Sequence, residues 1–182
     1  MTDFSRLLAA EIPRLRRYAR ALTRDAVYTD DLVQNCLTRA LAKQHLWQPG
    51  TDLRAWLFTI LHNQHCNELR RTRREGFSVE LDQAPPVSVR PNAIAALELR
   101  DLELAINRLS EDQRAVVLLI GLEGMRYDRV AKILNVPVGT VRSRLARGRA
   151  ELRRLMNAGQ AIQGQQAFAP GLGPVTVRRR AA

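Results

Sequence analysis

The sequence predicts an all-α protein made of two small helical bundles joined by a flexible linker. Apolar residues recur at three- and four-residue steps in two separate blocks, which is typical of amphipathic helices, and the first block has no alternating strand pattern. Between the blocks, Gly76 to Pro91 contains three prolines and no sustained helical period. We therefore expect a first bundle at residues 5–75, a linker at 76–93, a second bundle at 94–156 and a disordered tail at 157–182.

The first helix of the first block is predicted from an apolar stripe that includes Leu8, Ile12, Leu15 and Leu22. Pro13 interrupts this stripe. Because proline is tolerated in a helix only near its start, Pro13 predicts a break or a new first turn.

Two further helices follow in the same block. Residues 29–31 (Thr-Asp-Asp) offer N-cap oxygens for a second helix, whose apolar stripe begins at Leu32. After the turn at residues 48–51, Asp52 can cap a third helix that carries Leu53, Trp56 and further apolar residues.

The second block opens with a helix whose apolar stripe runs from Ile94 to Leu109. Ser110 and Gln113 then fit a capping box, in which each side chain satisfies the other residue's free amide. A short apolar helix is expected to follow as far as about Leu122.

Residues 127–155 predict a helix-turn-helix, because a short amphipathic helix, a tight polar turn and a second helix follow one another there. On the second helix Val141, Leu145, Leu152 and Leu155 form one apolar stripe, and Gly148 occupies the gap in it where a close approach is needed. The rest of this helix is basic, with six arginines and one acid between residues 139 and 154. Arginine can pair with both acceptors of guanine in the major groove, so this pattern favours DNA binding over an ordinary solvated helical hairpin.

The charge of the whole chain agrees with a polyanionic partner. There are 29 Lys and Arg against 18 Asp and Glu in 182 residues, a formal net charge of +11. Such an excess is typical of proteins that bind nucleic acid or an anionic membrane surface, although a merely solubilising charge has the same composition.

Other classes are excluded by the same sequence. The longest apolar run, residues 115–120, is far shorter than the roughly 18–20 residues of a transmembrane helix. The N-terminus lacks the pattern of a secretory signal, and two cysteines cannot form a disulfide framework. We therefore expect a cytoplasmic protein without membrane insertion.

The residues at 136–145 (VPVGTVRSRL) resemble the region 4 helix-turn-helix of bacterial sigma factors, especially the small extracytoplasmic-function group. Response regulators end in similar helices, so the first block carries the distinction. Its residues 30–40 (DDLVQNCLTRA) are similar to region 2.2, the helix that such factors dock on the polymerase, although Asn35 replaces the family's common Glu. Residues 53–60 (LRAWLFTI), followed by Asn63, resemble regions 2.3 and 2.4, which open and read the −10 element.

This resemblance implies an alternative sigma factor that binds core RNA polymerase and directs promoter-specific initiation in a stress or envelope response. Its partners would be core RNA polymerase, promoter DNA and an anti-sigma factor, and it would need no cofactor. The residues implied to bind the −35 element are Gly139, Thr140, Arg142, Ser143, Arg144, Arg147 and Arg149. Those implied to bind the −10 element are Trp47, Trp56, Asn63, Arg70 and Arg71. Those implied to bind the polymerase are Asp30, Asp31, Leu32, Gln34 and Asn35.

Some of these residues have a competing structural interpretation. Trp56 lies on an apolar stripe and is more typical of a core residue, whereas Trp47 fits a binding role equally well. His62 and Cys66 are four residues apart on the third helix, but too few further ligands lie nearby for a zinc site. A DNA-facing polar surface is the better interpretation of this pair, and nothing in the chain predicts catalysis.

Two rival functions remain open at the level of the sequence. A stand-alone helix-turn-helix regulator would explain the second block but would have no use for the first. A basic membrane-surface or adaptor protein would explain the net charge but not its position on a DNA-reading motif.

Overall fold

The computed structural model describes residues 3–23, 25–75 and 93–166, and within the last range the side chains of residues 98–157. In these ranges the chain is helical and contains no strand, which confirms the all-α fold class. The first bundle consists of α1 (Asp3–Thr23), α2 (Ala26–Ala42) and α3 (Leu53–Arg74), with a short 3-10 turn at Gln44–Leu46. The second bundle consists of α4 (Ala93–Arg108), α5 (Glu111–Val117), α6 (Tyr127–Leu134) and α7 (Val138–Gln166), with a π-helical turn at Leu118–Leu122.

The helix α1 runs unbroken through Pro13, so the break predicted there is wrong. Pro13 is exposed, and so is Ala9, the residue whose carbonyl a proline at position 13 crowds in a helix. That carbonyl can therefore turn outward and bond to water, which removes most of the penalty that a proline incurs inside a helix.

The start of α2 also differs from the prediction. Asp25 is the N-cap, and its carboxylate accepts the amide of Tyr28 at 3.0 Å. Thr29, which was expected to cap, is buried one turn into the helix and donates its hydroxyl to the Asp25 carbonyl. Asp25, four positions upstream of Thr29, thus caps the free amides of α2, and Asp30 and Asp31 lie within the helix.

The N-cap roles predicted for Asp52 and Ser110 are confirmed, and of the capping box predicted for Ser110 and Gln113 the structure shows the bond to the Ser110 hydroxyl. Asp52 accepts the amide of Ala55 at 3.0 Å at the start of α3, and the Ser110 hydroxyl accepts the amide of Gln113 at 3.4 Å at the start of α5. Such caps satisfy amides that have no partner within the helix.

In the first bundle, each of the three helices packs against the other two. Their shared core contains fully buried Leu15, Tyr18, Phe58 and Leu61, and the rings of Tyr18 and Phe58 lie 5.1 Å apart. This core fixes α2 and α3, the two helices with implied functions, relative to one another.

The second bundle brings α7 against α4, α5 and α6. Val141 and Leu145 are buried, as the apolar stripe predicts. The predicted close approach at Gly148 is confirmed, because a Cβ atom there would lie 2.9 Å from Val117 Cγ2 of α5.

The two bundles pack against each other, which the sequence did not reveal. Helix α6 contacts α3, the π turn contacts α1, and the buried apolar side chains of both bundles form one continuous core. Residues 76–92, where the linker is expected, lie outside the described residues. Helix α7 continues to Gln166, past residue 157 where the tail was expected to begin, and residues 167–182 lie outside the described part.

Candidate nucleic-acid interface

The helix-turn-helix is built by α6, a tight turn and α7. Asn135 ends α6 with a φ of 52°, in the left-handed region that asparagine tolerates better than most residues. The Val136 amide bonds back to the Ala131 carbonyl at 3.0 Å, and the Pro137 carbonyl accepts the amide of Thr140 at 2.9 Å. The turn therefore directs the chain from one helix straight into the next.

The polar side of α7 faces solvent. Gly139, Arg142, Ser143, Arg147 and Arg149 are exposed, and we call these residues, with the half-buried Thr140, the reading face. The Ser143 hydroxyl donates to the Thr140 carbonyl at 3.0 Å. Arg147 donates to the Ser143 carbonyl and hydroxyl oxygens, both at 3.4 Å. A rigid helix thus presents a guanidinium and a hydroxyl side by side, which suits contacts with base edges and phosphates.

Arg144 differs from the other arginines predicted to bind the −35 element. Its side chain is 23% exposed, and its NH2 group donates to Asp112 of α5 at 2.6 Å. This arginine braces α7 against α5 and is not a free cation on the reading face.

In the first bundle, the two predicted tryptophans belong to one aromatic cluster with Phe4. The Phe4 ring lies 5.4 Å from that of Trp47 and 6.4 Å from that of Trp56. Both tryptophans are half-buried and pack against the core, and the Trp47 indole nitrogen is buried without a partner among the described residues. The cluster supports the start of α3 and leaves part of each indole at the surface.

The loop between the tryptophans is tightly organised. Gly50 has a φ of 86°, which only glycine adopts without strain, and the Thr51 hydroxyl donates to the Gln48 carbonyl at 2.7 Å. Asp52 closes the loop by capping α3. Asn63 is exposed about three turns further along that helix.

The C-terminal end of α3 is a basic groove open to solvent, lined by Asn67, Arg70, Arg71, Arg74 and Glu75. Arg70 donates to the Asn67 side chain at 3.2 Å, and Arg71 pairs with Glu68. The hydrogen bond that Arg71 donates to the Glu68 carboxylate raises the pKa of Arg71 above its ordinary value, so this guanidinium is firmly charged.

On α2, four of the five residues implied to bind the polymerase are exposed: Asp30, Asp31, Gln34 and Asn35. Asp30 lies 3.6 Å from Arg16 of α1. Leu32 is only 3% exposed and belongs to the core, so its position supports packing and not surface contact.

The histidines and Cys66 of α3 lie near α5 of the second bundle. The Nε2 atom of His65 lies 3.5 Å from Glu111, and its Nδ1 atom lies 3.4 Å from the Tyr28 hydroxyl. Burial, aided by His65, lowers the pKa of His62 to about 4. Burial also raises the pKa of Cys66, which keeps its thiol protonated. This cluster is packed between helices, in contrast to the DNA-facing surface that the sequence favoured.

Three features of the described residues bear on other classes of function. No group of three or more metal-binding side chains converges. Both cysteines are free, and burial raises the pKa of Cys36 to about 12. Among the helices of the described part, none combines the length and the apolar character that a bilayer span requires.

Sequence reasoning missed the residues that join the two bundles. These residues are Arg17, Glu111, Arg114, Glu123, Arg129 and Asp52, which pairs with Arg129 in addition to capping α3. The available signal was weak. Arg114 and Glu123 are charged residues that flank an apolar run, and charged residues at solvated positions do not usually have such apolar neighbours.

A helical domain beside a basic helix-turn-helix defines a DNA-binding protein of the sigma type, and the comparisons with known proteins agree. The family model "Sigma2 domain of PhyR" matches residues 8–62, and "Sigma-70, region 4" matches residues 99–152. The ECF RNA polymerase sigma factor EcfG of Rhodopseudomonas palustris is 37% identical over 90% of this chain and 88% of its own length. The chain belongs to the family of ECF RNA polymerase sigma factors, and it is an alternative sigma factor that directs transcription.

Two solved structures are similar over most of the chain. One is the sigma factor RpoE of Bartonella quintana in complex with the anti-sigma factor NepR, with 36% identity, a TM-score of 0.74 and coverage of 86% of this chain and 98% of that one. The other is CnrH in complex with the cytosolic domain of CnrY, with 28% identity, a TM-score of 0.62 and coverage of 85% and 88%.

Proposed function

We propose that α7 reads the −35 element of the promoter as duplex DNA. The observation that carries this proposal is the exposed reading face, whose opposite stripe, Val141 and Leu145, is buried. Arg142, Ser143 and Arg147 are assigned to base edges, and Thr140 and Arg149 to phosphates, with the Gly139 amide near the helix N-terminus. Arg144 positions the helix through Asp112.

The first bundle is assigned to the −10 element. The ordered loop between Trp47 and Asp52, and the exposed Asn63, suit an unstacked base held against an aromatic edge. Arg70 and Arg71 in the basic groove would bind the backbone of the same strand.

The exposed side of α2 is assigned to core RNA polymerase, through Asp30, Asp31, Gln34 and Asn35. The chain itself makes and breaks no covalent bond in this role, and it acts in the cytoplasm, where promoter DNA and polymerase are found. Because the RpoE and CnrH structures are complexes, we propose that an anti-sigma factor controls this chain during a stress or envelope response.

Transcription reconstituted from core polymerase and the full chain on fragmented genomic DNA tests this function. Discrete starts that share −35 and −10 sequences should appear only when the chain is present. Arg147→Ala should reduce them on the order of 10- to 100-fold, the value of one good base contact. Arg153→Ala is the matched control, since Arg153 is an exposed arginine of α7 outside the reading face.

Two results would contradict the proposal. Equal losses of transcription for Arg147→Ala and Arg153→Ala would contradict the assignment of the reading face to the −35 element. Tight duplex binding by the chain alone, with no new starts, would indicate the stand-alone regulator.

A further inference from the structure

Beside the reading face, three helices of the second bundle meet at a groove that is open to solvent, which we call the side groove. It is lined by the last residue of α4, one residue of α5 and four residues of α7: Arg108, Gln113, Arg147, Ala150, Glu151 and Arg154. Arg147 belongs both to the side groove and to the reading face, so the two surfaces adjoin at this residue.

The side groove is positively charged, because three arginines line it together with one acid. That acid, Glu151, is already paired with Arg154, which donates from Nε and NH2 at 2.9 and 2.6 Å and keeps its NH1 group for another partner. Arg147 donates only to neutral oxygens of Ser143. Among the described residues, no acid pairs with Arg108. Guanidinium groups in such surroundings are suited to binding a phosphate.

The backbone around the side groove is held in place by buried contacts. Arg114 donates to three carbonyls at the end of α4, where Arg108 lies. At Gly148 the helices α5 and α7 come so close that an added Cβ atom would lie 3.5 Å from the Cβ atom of Gln113. Because the three helices are fixed, binding an anion orders only the arginine side chains, which lowers the entropic cost of binding.

The place of the side groove on α7 fits the backbone of the duplex that this helix reads. Arg147 and Arg154 are seven residues apart on one side of α7, which corresponds to about 10 Å along the helix axis. A helix in the major groove lies between two phosphate backbones, so cations beside its base-reading residues face one of them. Arg108 extends this basic strip to a second helix, α4.

We propose that the side groove binds a phosphate of the DNA backbone at the edge of the −35 element, through Arg108 and the free NH1 group of Arg154. Such a contact carries no sequence information, but it adds affinity and fixes the angle at which α7 enters the major groove. The proposal rests on the assignment of α7 to the −35 element made above. A free phosphate-bearing ligand would suit the same guanidinium groups, and the test below separates the two sources.

The test uses holoenzyme assembled from core polymerase and the full chain, bound to a promoter found in the transcription assay. Arg108→Ala should weaken binding about 3- to 10-fold, by the same factor on promoters with single-base changes in the −35 element. The slope of log K against log salt concentration should become shallower by about 1. Arg108→Lys keeps the charge and should restore most of the affinity. Arg153→Ala is the matched control, since Arg153 is exposed on α7 outside the side groove.

A second readout locates the phosphate. Neutral methylphosphonates replace the phosphates beside the −35 element one at a time, and wild-type holoenzyme should lose affinity at a particular position. Arg108→Ala should lose nothing further at that position, because the partner of the phosphate is already absent. Identical methylphosphonate profiles for the wild type, Arg108→Ala and Arg153→Ala would overturn the proposal.

Two other outcomes are distinguishable from these. If Arg108→Ala abolished binding of pyrophosphate to the chain but left the methylphosphonate profile unchanged, the groove would bind a free phosphate ligand, and its assignment to DNA would be wrong. The −35 assignment itself is tested by Arg147→Ala, whose loss of affinity should depend on one base of the −35 element. If Arg147→Ala behaved like Arg153→Ala, the failure would lie in the proposed function of α7.

Discussion

Replacement of Arg114 by lysine tests the most heavily bonded side chain of the interface. Arg114 is 3% exposed, and its guanidinium has five acceptors. It donates to the carbonyls of Ile106, Asn107 and Leu109 at the end of α4, to the Leu22 carbonyl of α1, and to the Glu111 carboxylate. The last carbonyls of a helix have no partner within it, so Arg114 serves as a C-terminal cap for α4 and as a bridge to α1.

The magnitude follows from the number of donors. A lysine ammonium has three, so at least two of the five acceptors lose their partner, and the planar geometry that reaches α4 and α1 together is lost as well. With about 1–2 kcal/mol for each lost bond of this charged, buried kind, Arg114→Lys should lower the free energy of unfolding by about 2–4 kcal/mol. For a chain of this size that corresponds to a fall in Tm of roughly 5–15 °C.

The assay is urea and thermal unfolding of the full chain. Arg108→Lys is the control, because Arg108 is an exposed arginine at the end of the same helix and should change stability by less than about 0.5 kcal/mol. If Arg114→Lys unfolded at the wild-type midpoint, the five contacts would not stabilise the fold. The stabilising role of Arg114 between α4 and α1 would then be contradicted.

Two further predictions concern stability. At Gly148, alanine would lie 2.9 Å from Val117 Cγ2, so overpacking of about 1–3 kcal/mol should outweigh a gain of about 1 kcal/mol in helix propensity. Gly139→Ala meets no atom within 4 Å and should be stabilising, so a Gly148→Ala variant that resists urea as well as Gly139→Ala would contradict the close approach. Because burial lowers the pKa of His62 to about 4, the unfolded chain binds the extra proton first, and stability should fall by up to about 3 kcal/mol as the pH drops from about 6.5 to 4. His62→Gln should flatten this pH dependence of urea unfolding, and an equal slope in both proteins would show that another group is responsible.

Local sequence rules predicted much of the second bundle. The Ser110 cap, the turn after Leu134, the buried stripe of α7 and the close approach at Gly148 all depend on neighbours within a few positions or on a simple helical period. Such features can be read from the sequence because each has a single local cause.

Where two local causes competed, the prediction failed. The start of α2 was expected at residues 29–31, whereas Asp25, which was not among the predicted caps, caps the helix four positions earlier. Pro13 predicted a break from its chemistry alone, whereas its cost depends on whether the Ala9 carbonyl can reach water. The exposure of a carbonyl depends on the tertiary structure, so the sequence could not decide the outcome at Pro13.

The interface between the bundles lay wholly outside such rules. Arg17 and Glu123 are 106 positions apart, and neither belongs to a motif or an apolar stripe. For the same reason the −10 residues could be assigned to a helix and a loop, but the packing of α6 against α3 could not be foreseen. A pairing between distant charged residues becomes visible only when the fold brings them together.

The interface between the bundles combines apolar packing with buried ionic contacts. Beside the apolar core that the bundles share, a buried carboxylate depends on a half-exposed arginine, and one of its oxygens has no partner among the described residues. Separation costs the ion pair but lets water solvate both charges, so the two states differ by less than the contacts suggest.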